Sequence, residues 1–217
     1  MKTLRNFSLE LGRLLQSRLT WLVLLLTAIS PVAGLTLYKS ATAETMLSMY
    51  LANPAIAGGV VSGILFGLLT VYELDRFGRS RVDILMNAIA SPMRSALIRM
   101  LALIVTSLLG LFLTMLVWLP FTFALAGSVL DMTNYCLAYL LFMGLSLPCS
   151  ILAAAACYQF TQRADLSIVL FTAFAGLSLT IWSDNWQLCW LNPCVWALSD
   201  DFTNFRIFRS VLYMRLT

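Results

Sequence analysis

The chain contains no histidine, and charged residues make up only 11% of its 217 residues. Without histidine there is no Ser-His-Asp or Cys-His arrangement and no histidine-ligated metal. No GxxxxGK[ST] loop is present to cradle phosphates, so the chain carries no ATP-hydrolysing site of that kind. The five cysteines lack metal-ligand spacing. Paired carboxylates are missing from the interior of every apolar run: Glu73 and Asp165 sit at run ends, and Arg99 lies early in its run. Ion- and proton-coupled carriers usually keep an ionisable group at membrane depth, so the pattern argues against that mechanism. No catalytic residue and no metal ligand is identified, and the chain reads as a non-enzyme.

What is present is hydrocarbon. Hydrophobic residues make up 60% of the chain, and the mean hydropathy is +0.87. Five long stretches carry almost no charge: Leu19–Tyr38, Ala52–Tyr72, Leu97–Ala126, Tyr135–Phe160 and Ala164–Trp182. Each reaches the roughly 20 residues that a helix needs to cross about 30 Å of hydrocarbon. A soluble core helix has no reason to stay apolar on every face for that length. Backbone groups in lipid must be satisfied within the segment, so the stretches read as helices. The alternating polarity of a membrane β-strand is missing. The expected fold is therefore an all-α polytopic membrane protein with five visible spans and the lipid bilayer as its solvent.

Basic residues collect on one side. Lys2, Arg5, Arg13 and Arg18 precede the first span; Arg76, Arg79, Arg81, Arg94 and Arg99 lie between the second and third; Arg163 lies between the fourth and fifth. The loops after the first and third spans carry only Lys39 with Glu44, and Asp131. Lys and Arg mark the cytoplasmic side, which places the N-terminus inside. The same rule accounts for the basic cluster without nucleic acid as a partner. Residues 1–18 show no cleavage site. Leu4, Phe7, Leu11, Leu14 and Leu15 fall near helical spacing, as in a helix lying on the cytoplasmic interface; a charged tail running into the first span is the plainer alternative.

The second span carries Ala55, Gly59, Gly63 and Gly67 at intervals of four, which predicts a close-packed face, with a helix of the same chain or of a second copy. Pro31 and Gly34 predict a kink in the first span, and Pro148 one near the middle of the fourth. Pro120 lies near the outer end of the third stretch, which is either tilted or begins in the cytoplasm. Gln159–Asp165 predicts a tight hairpin between the fourth and fifth spans. Cys136, Cys149 and Cys157 read as packing residues of the fourth span. Cys189 and Cys194 follow the fifth span on the outer side, where a disulfide is chemically allowed. Trp186 and Trp190 mark an interface there, and Phe202–Thr217 turns basic and apolar with Arg206, Arg209 and Arg215. Segment 183–217 therefore reads as an outer segment and the start of a sixth span that is missing or lies beyond the chain end.

Residues 73–99 form the substantial cytoplasmic loop. Val82, Leu85, Met86 and Ile89 have helical spacing, and Ser91–Pro92 can restart a helix. Glu73, then Arg76 and Gly78 with Phe77 between them, then Val82–Leu85, then Ser91, Pro92 and Arg94 resemble the pattern of the type-2 family of ABC transporter permeases. In that family an acidic residue, Arg-Gly, an amphipathic stretch, a small residue, Pro and a basic residue follow the second span. Phe77 and Asn87–Ile89, which replaces a leucine run, depart from it. The resemblance covers about 125 residues, from the N-terminal helix through the third span. It implies six spans, dimerisation (homodimer or heterodimer with a second permease), and ATP and Mg held by a separate cytoplasmic ABC ATPase subunit. It also implies that 73–99 is the coupling element and that the outer segment is re-entrant. A cell-membrane exporter of a lipid-like, peptide or drug-like substrate is the expected function. The alternative is a non-transporting scaffold or assembly subunit of a larger complex.

Overall fold

A computed structural model describes residues 2–36, 48–79, 92–127 and 131–180. Their regular structure is helical, and no strand occurs among them. Helix α1 (Lys2–Gln16) is followed by α2 (Arg18–Ile29) and the short α3 (Val32–Thr36). Two long helices come next, α4 (Asn53–Arg79) and α5 (Pro92–Ala126). Helices α6 (Met132–Tyr139), α7 (Ser146–Thr161) and α8 (Ala164–Thr180) complete the series. One π-turn, Ser48–Ala52, leads into α4, and another, Leu140–Gly144, joins α6 towards α7.

Among the described residues four stretches are long and apolar enough to cross a bilayer: Arg18–Leu35, Tyr50–Arg76, Ser95–Leu125 and Met132–Thr161. They coincide with the first four apolar runs of the sequence. Helix α8 covers the fifth over 17 residues and reaches the last described residue, Thr180. Cys189, Cys194 and the whole of segment 183–217 lie outside the described residues. The chain is an all-α, membrane-embedded protein.

The second span is the central one. It is 67% buried, against 39–44% for the other three. Phe66 and Leu69 of α4 meet Leu24, Leu111, Phe142 and Leu147 in one core. Leu22, Leu25 and Ile29 of α2, Leu101, Val105, Leu108, Phe112 and Leu116 of α5, and Leu166 and Val169 of α8 are exposed and apolar. In lipid such a face has no reason to be covered by protein.

The prolines shape the spans in different ways. Pro31 has no N–H to offer the carbonyl of Thr27. That oxygen accepts instead from Ser30 N (3.2 Å), Ser30 Oγ (2.7 Å) and Thr114 Oγ1 (3.3 Å). The indole of Trp118 donates to Ala28 O at 2.8 Å. Neighbouring side chains thus satisfy backbone groups near the break, as lipid requires. In the fourth span the break precedes Pro148. It falls in the π-turn Leu140–Gly144 and at Leu145, and Pro148 sits in the first turn of α7, where its missing N–H matters least. Helix α5 runs through Pro120 without interruption. Its 35 residues span about 52 Å, longer than the hydrocarbon layer. The first turns of α5 lie beside α1, so the excess length is at that end. The α7–α8 hairpin turns on Gln162 in the left-handed region (φ 53°), a usual way to end a helix.

Candidate functional site at the base of the bundle

Helix α1 buries Leu14 against the bundle and leaves Leu9 exposed. That orientation aims Glu10 and Arg13, one turn apart, at the ends of two spans. Helix α4 does not stop at Tyr72 but continues to Arg79, so Glu73 is a helical residue. Because α5 begins at Pro92, Arg99 is also helical and lies at the same level. Arg13 Nη2 is 2.8 Å from Glu73 Oε2, and Arg13 Nε donates to Glu10 Oε2 at 2.9 Å. Arg99 Nε is 3.9 Å from Glu10 Oε1, and Arg76 Nη1 is 3.8 Å from Glu73 Oε1. Glu73 is 3% exposed, Arg99 12%, Arg13 30% and Arg76 54%.

Glu10, Arg13, Glu73 and Arg99 sum to zero charge, which allows two acids and two guanidinium groups to share a largely dry place. Leu74 and Leu103 help to close it, leaving about 10 Å³, close to the space of a single water. Burial alone would lower the Arg13 pKa; hydrogen bonds and charge from Glu10 and Glu73 outweigh it and hold the guanidinium above its ordinary value. Buried ion pairs seldom add net stability, because desolvation offsets their attraction, but they can fix how elements register. Here they set α1 against α4 and α5 at once.

Of the residues expected to couple to a partner, Glu73, Arg76 and Gly78 occupy the last two turns of α4, and Phe77 is an ordinary residue of that helix. Pro92 opens α5, with Arg94 in its first turn. Leu85, Met86 and Ser91 lie outside the described residues. The sequence reading did not anticipate that Glu10, Arg13 and Arg99 gather around Glu73. A signal was available: an acid at the end of a span needs a cation at its own depth.

The small-residue ladder faces inward. Ala55, Gly59, Gly63 and Gly67 are all buried. A Cβ on Gly59 would stand 2.5 Å from the carbonyl oxygen of Phe142, and Ser146 Oγ donates to Gly59 O at 3.3 Å. A Cβ on Gly67 would collide with the ring of Phe171 on α8. At these two rungs the neighbours are the fourth and fifth spans of the same chain. Cys136 and Cys157 are partly buried, whereas Cys149 is exposed on the outer face and is no core residue. Among the described residues no group of three potential ligands could hold a metal.

Comparison with family models, curated proteins and solved structures finds no match to this chain.

Proposed function

We propose that the chain is the permease subunit of an ATP-driven ABC transporter of the cell membrane. ATP and Mg bind a separate cytoplasmic subunit, and the permease pairs with a copy of itself or with a second permease. The N-terminus is cytoplasmic, and the exported substrate is lipid-like, a peptide or drug-like. The observation that carries this reading is the ion-pair cluster. It joins α1 to the two helices from which segment 80–91 emerges and returns. A push on that segment reaches α4, α5 and α1 together, because continuous helices lead away from both its ends. The order Glu73, Arg76, Gly78, Ser91, Pro92, Arg94 supplies the family resemblance.

By sequence spacing Leu85 and Met86 are expected on one apolar stripe of segment 80–91, and the charges of Arg79, Arg81 and Asp83 nearby argue against deep lipid. An apolar stripe on a cytoplasmic protrusion suits a protein groove. Truncating such an anchor costs about 2 kcal/mol, or roughly 30-fold in affinity. The test is co-purification of tagged Leu85→Ala/Met86→Ala with partner identification. The expected result is normal insertion with reduced recovery of an ATPase. Full ATPase association together with full transport would reduce the loop to a connector. Recovery of non-ATPase partners alone, by the unmodified chain, would favour the scaffold.

A further inference from the structure

Each acid of the base cluster has one oxygen whose cation stands beyond hydrogen-bond reach. Glu10 Oε2 accepts from Arg13 Nε at 2.9 Å, whereas Glu10 Oε1 has Arg99 Nε at 3.9 Å. Glu73 Oε2 has Arg13 Nη2 at 2.8 Å, whereas Glu73 Oε1 has Arg76 Nη1 at 3.8 Å. An N–H···O hydrogen bond ends near about 3.2 Å, so the two longer contacts are charge pairs only. Both acids are withdrawn from water. Their side chains are 18% and 3% exposed, and neither oxygen of Glu73 touches solvent. An ionised carboxylate has about four acceptor positions, and leaving them unused in a buried place costs free energy.

The space beside these acids suits one water in size and in chemistry. Glu10, Arg13, Leu14, Glu73, Arg99 and Leu103 surround a cavity of about 10 Å³. That is about the least volume that holds a water, which also needs two to four polar partners. A cavity of this size lined by leucine alone stays empty; here the lining includes two acids and two guanidinium groups. A polar pair held beyond about 3.5 Å is where a bridging water belongs. Two hydrogen bonds of about 2.8 Å that meet near a right angle span about 4 Å. The 3.9 Å between Glu10 and Arg99 fits that bridge. Other occupants fit worse. A metal cation would face Arg13 and Arg99 as well as the acids, and a phosphate or carboxylate is too large and would face Glu10 and Glu73.

We propose that the cavity binds one structural water, which donates one hydrogen to Glu10 and one to Glu73 and accepts from Arg99. The direct contact of Arg13 with Glu73 joins α1 to α4. The water joins both of them to α5, so the three helices share one hydrogen-bonded unit. Without it the link from Glu10 to α5 is a charge pair at 3.9 Å. The water requires neither an ATPase nor a particular substrate, so its failure would leave the permease reading standing.

X-ray radiolytic labelling of the full chain in lipid nanodiscs tests it, with a radical scavenger in the bulk solution. A hydroxyl radical made from a bound water attacks the side chains beside it, where radicals from the bulk do not reach. Leu14 and Leu103 line the cavity and are each 2% exposed. Leu24 and Leu69 belong to the same apolar core, do not line the cavity, and are as well buried at 1% and 2%. Leu14 and Leu103 should be oxidised several-fold more than Leu24 and Leu69, and the scavenger should not abolish the difference. The second measurement is an experimental structure at a resolution that shows ordered water. It should hold a density peak within hydrogen-bond distance of one oxygen of Glu10 and one of Glu73. Labelling at Leu14 and Leu103 no greater than at Leu24 and Leu69 overturns the proposal. So does an empty cavity in that structure.

Discussion

Replacing Arg13 by Gln should loosen α1 more than replacing Glu73, and much more than replacing Arg76. Arg13 lies 2.8 Å from Glu73 and 2.9 Å from Glu10. Without it, Glu73 stays buried at 3% exposure with Arg76 3.8 Å away on a half-exposed side chain. Removing the close partner of a buried ion typically costs about 3–5 kcal/mol. The lower end applies here, because Arg76 remains within reach. Glu73→Gln is milder: Arg13 keeps Glu10 and some water, so the loss is that of a charged hydrogen bond, about 1.5–3 kcal/mol. Arg76→Gln disturbs an exposed partner and should cost at most about 1 kcal/mol. The double variant Arg13→Gln/Glu73→Gln leaves neither charge of that pair behind and should be more stable than Arg13→Gln alone. Amide hydrogen exchange of α1 in nanodiscs reads these differences as local opening. About 3 kcal/mol corresponds to roughly hundred-fold faster exchange. Equal rates for Arg13→Gln and Arg76→Gln would refute the assignment, as would a double variant that opens faster than Arg13→Gln. The pH dependence has a definite sign. The Arg13 pKa is raised in the folded state, so its contribution is complete below the unfolded value and lost only as pH rises through the folded one. Protection of α1, corrected for intrinsic exchange, should therefore show no loss from Arg13 between about pH 7 and pH 10.

The glycine ladder and the topology give two further expectations. Gly59→Ala forces a methyl to 2.5 Å from the Phe142 carbonyl oxygen, a backbone atom, and should destabilise the detergent-solubilised protein by about 1–3 kcal/mol. Gly176→Ala meets nothing within 4 Å and should leave the melting temperature unchanged or slightly raised; equal losses at both sites would show that the Gly59 contact is not tight. For topology, a cysteine at Ser80 should be protected from an impermeant thiol reagent in intact cells while one at Thr42 is labelled. The reverse pattern, or labelling at both, would invert or break the N-inside arrangement.

The apolar runs were legible because a long uncharged run has few stable solutions in lipid, and a helix is the one open to a single segment. The ladder was legible for a related reason: residues four apart share a face, and small ones there admit a neighbouring backbone. The break in the fourth span was misplaced by about one turn. Proline clashes with the carbonyl four residues earlier, which for Pro148 is that of Gly144, the last residue of the π-turn. The disturbance therefore lies before the proline, not at it. The ion-pair cluster was the least legible. Glu73 reads locally as the first residue of a loop, and its partner Arg13 lies 60 residues earlier in a segment read as interfacial. Local periodicity carries no information about such a pairing. It becomes visible only when α4 is seen to continue past Tyr72 and α1 to turn Glu10 and Arg13 towards it.

The cluster and the glycine layer are joined by α4. Gly59 and Glu73 are 14 residues apart on it, about 21 Å along the axis and within roughly 40° of each other around it. Both lie on its buried side, one against the fourth span and the other against α1. Between them the helix has no proline and no π-turn, and hydroxyls such as that of Thr70 bond back to their own helix, at 2.7 Å to Phe66 O. A helix of this kind turns or tilts as a unit. A displacement of α4 at Glu73 is therefore felt at Gly59, where the helix lies tight against the fourth span. The sequence pattern serves this end to end: charge where the helix meets α1, glycine where its neighbours approach most closely, and unbroken apolar helix between.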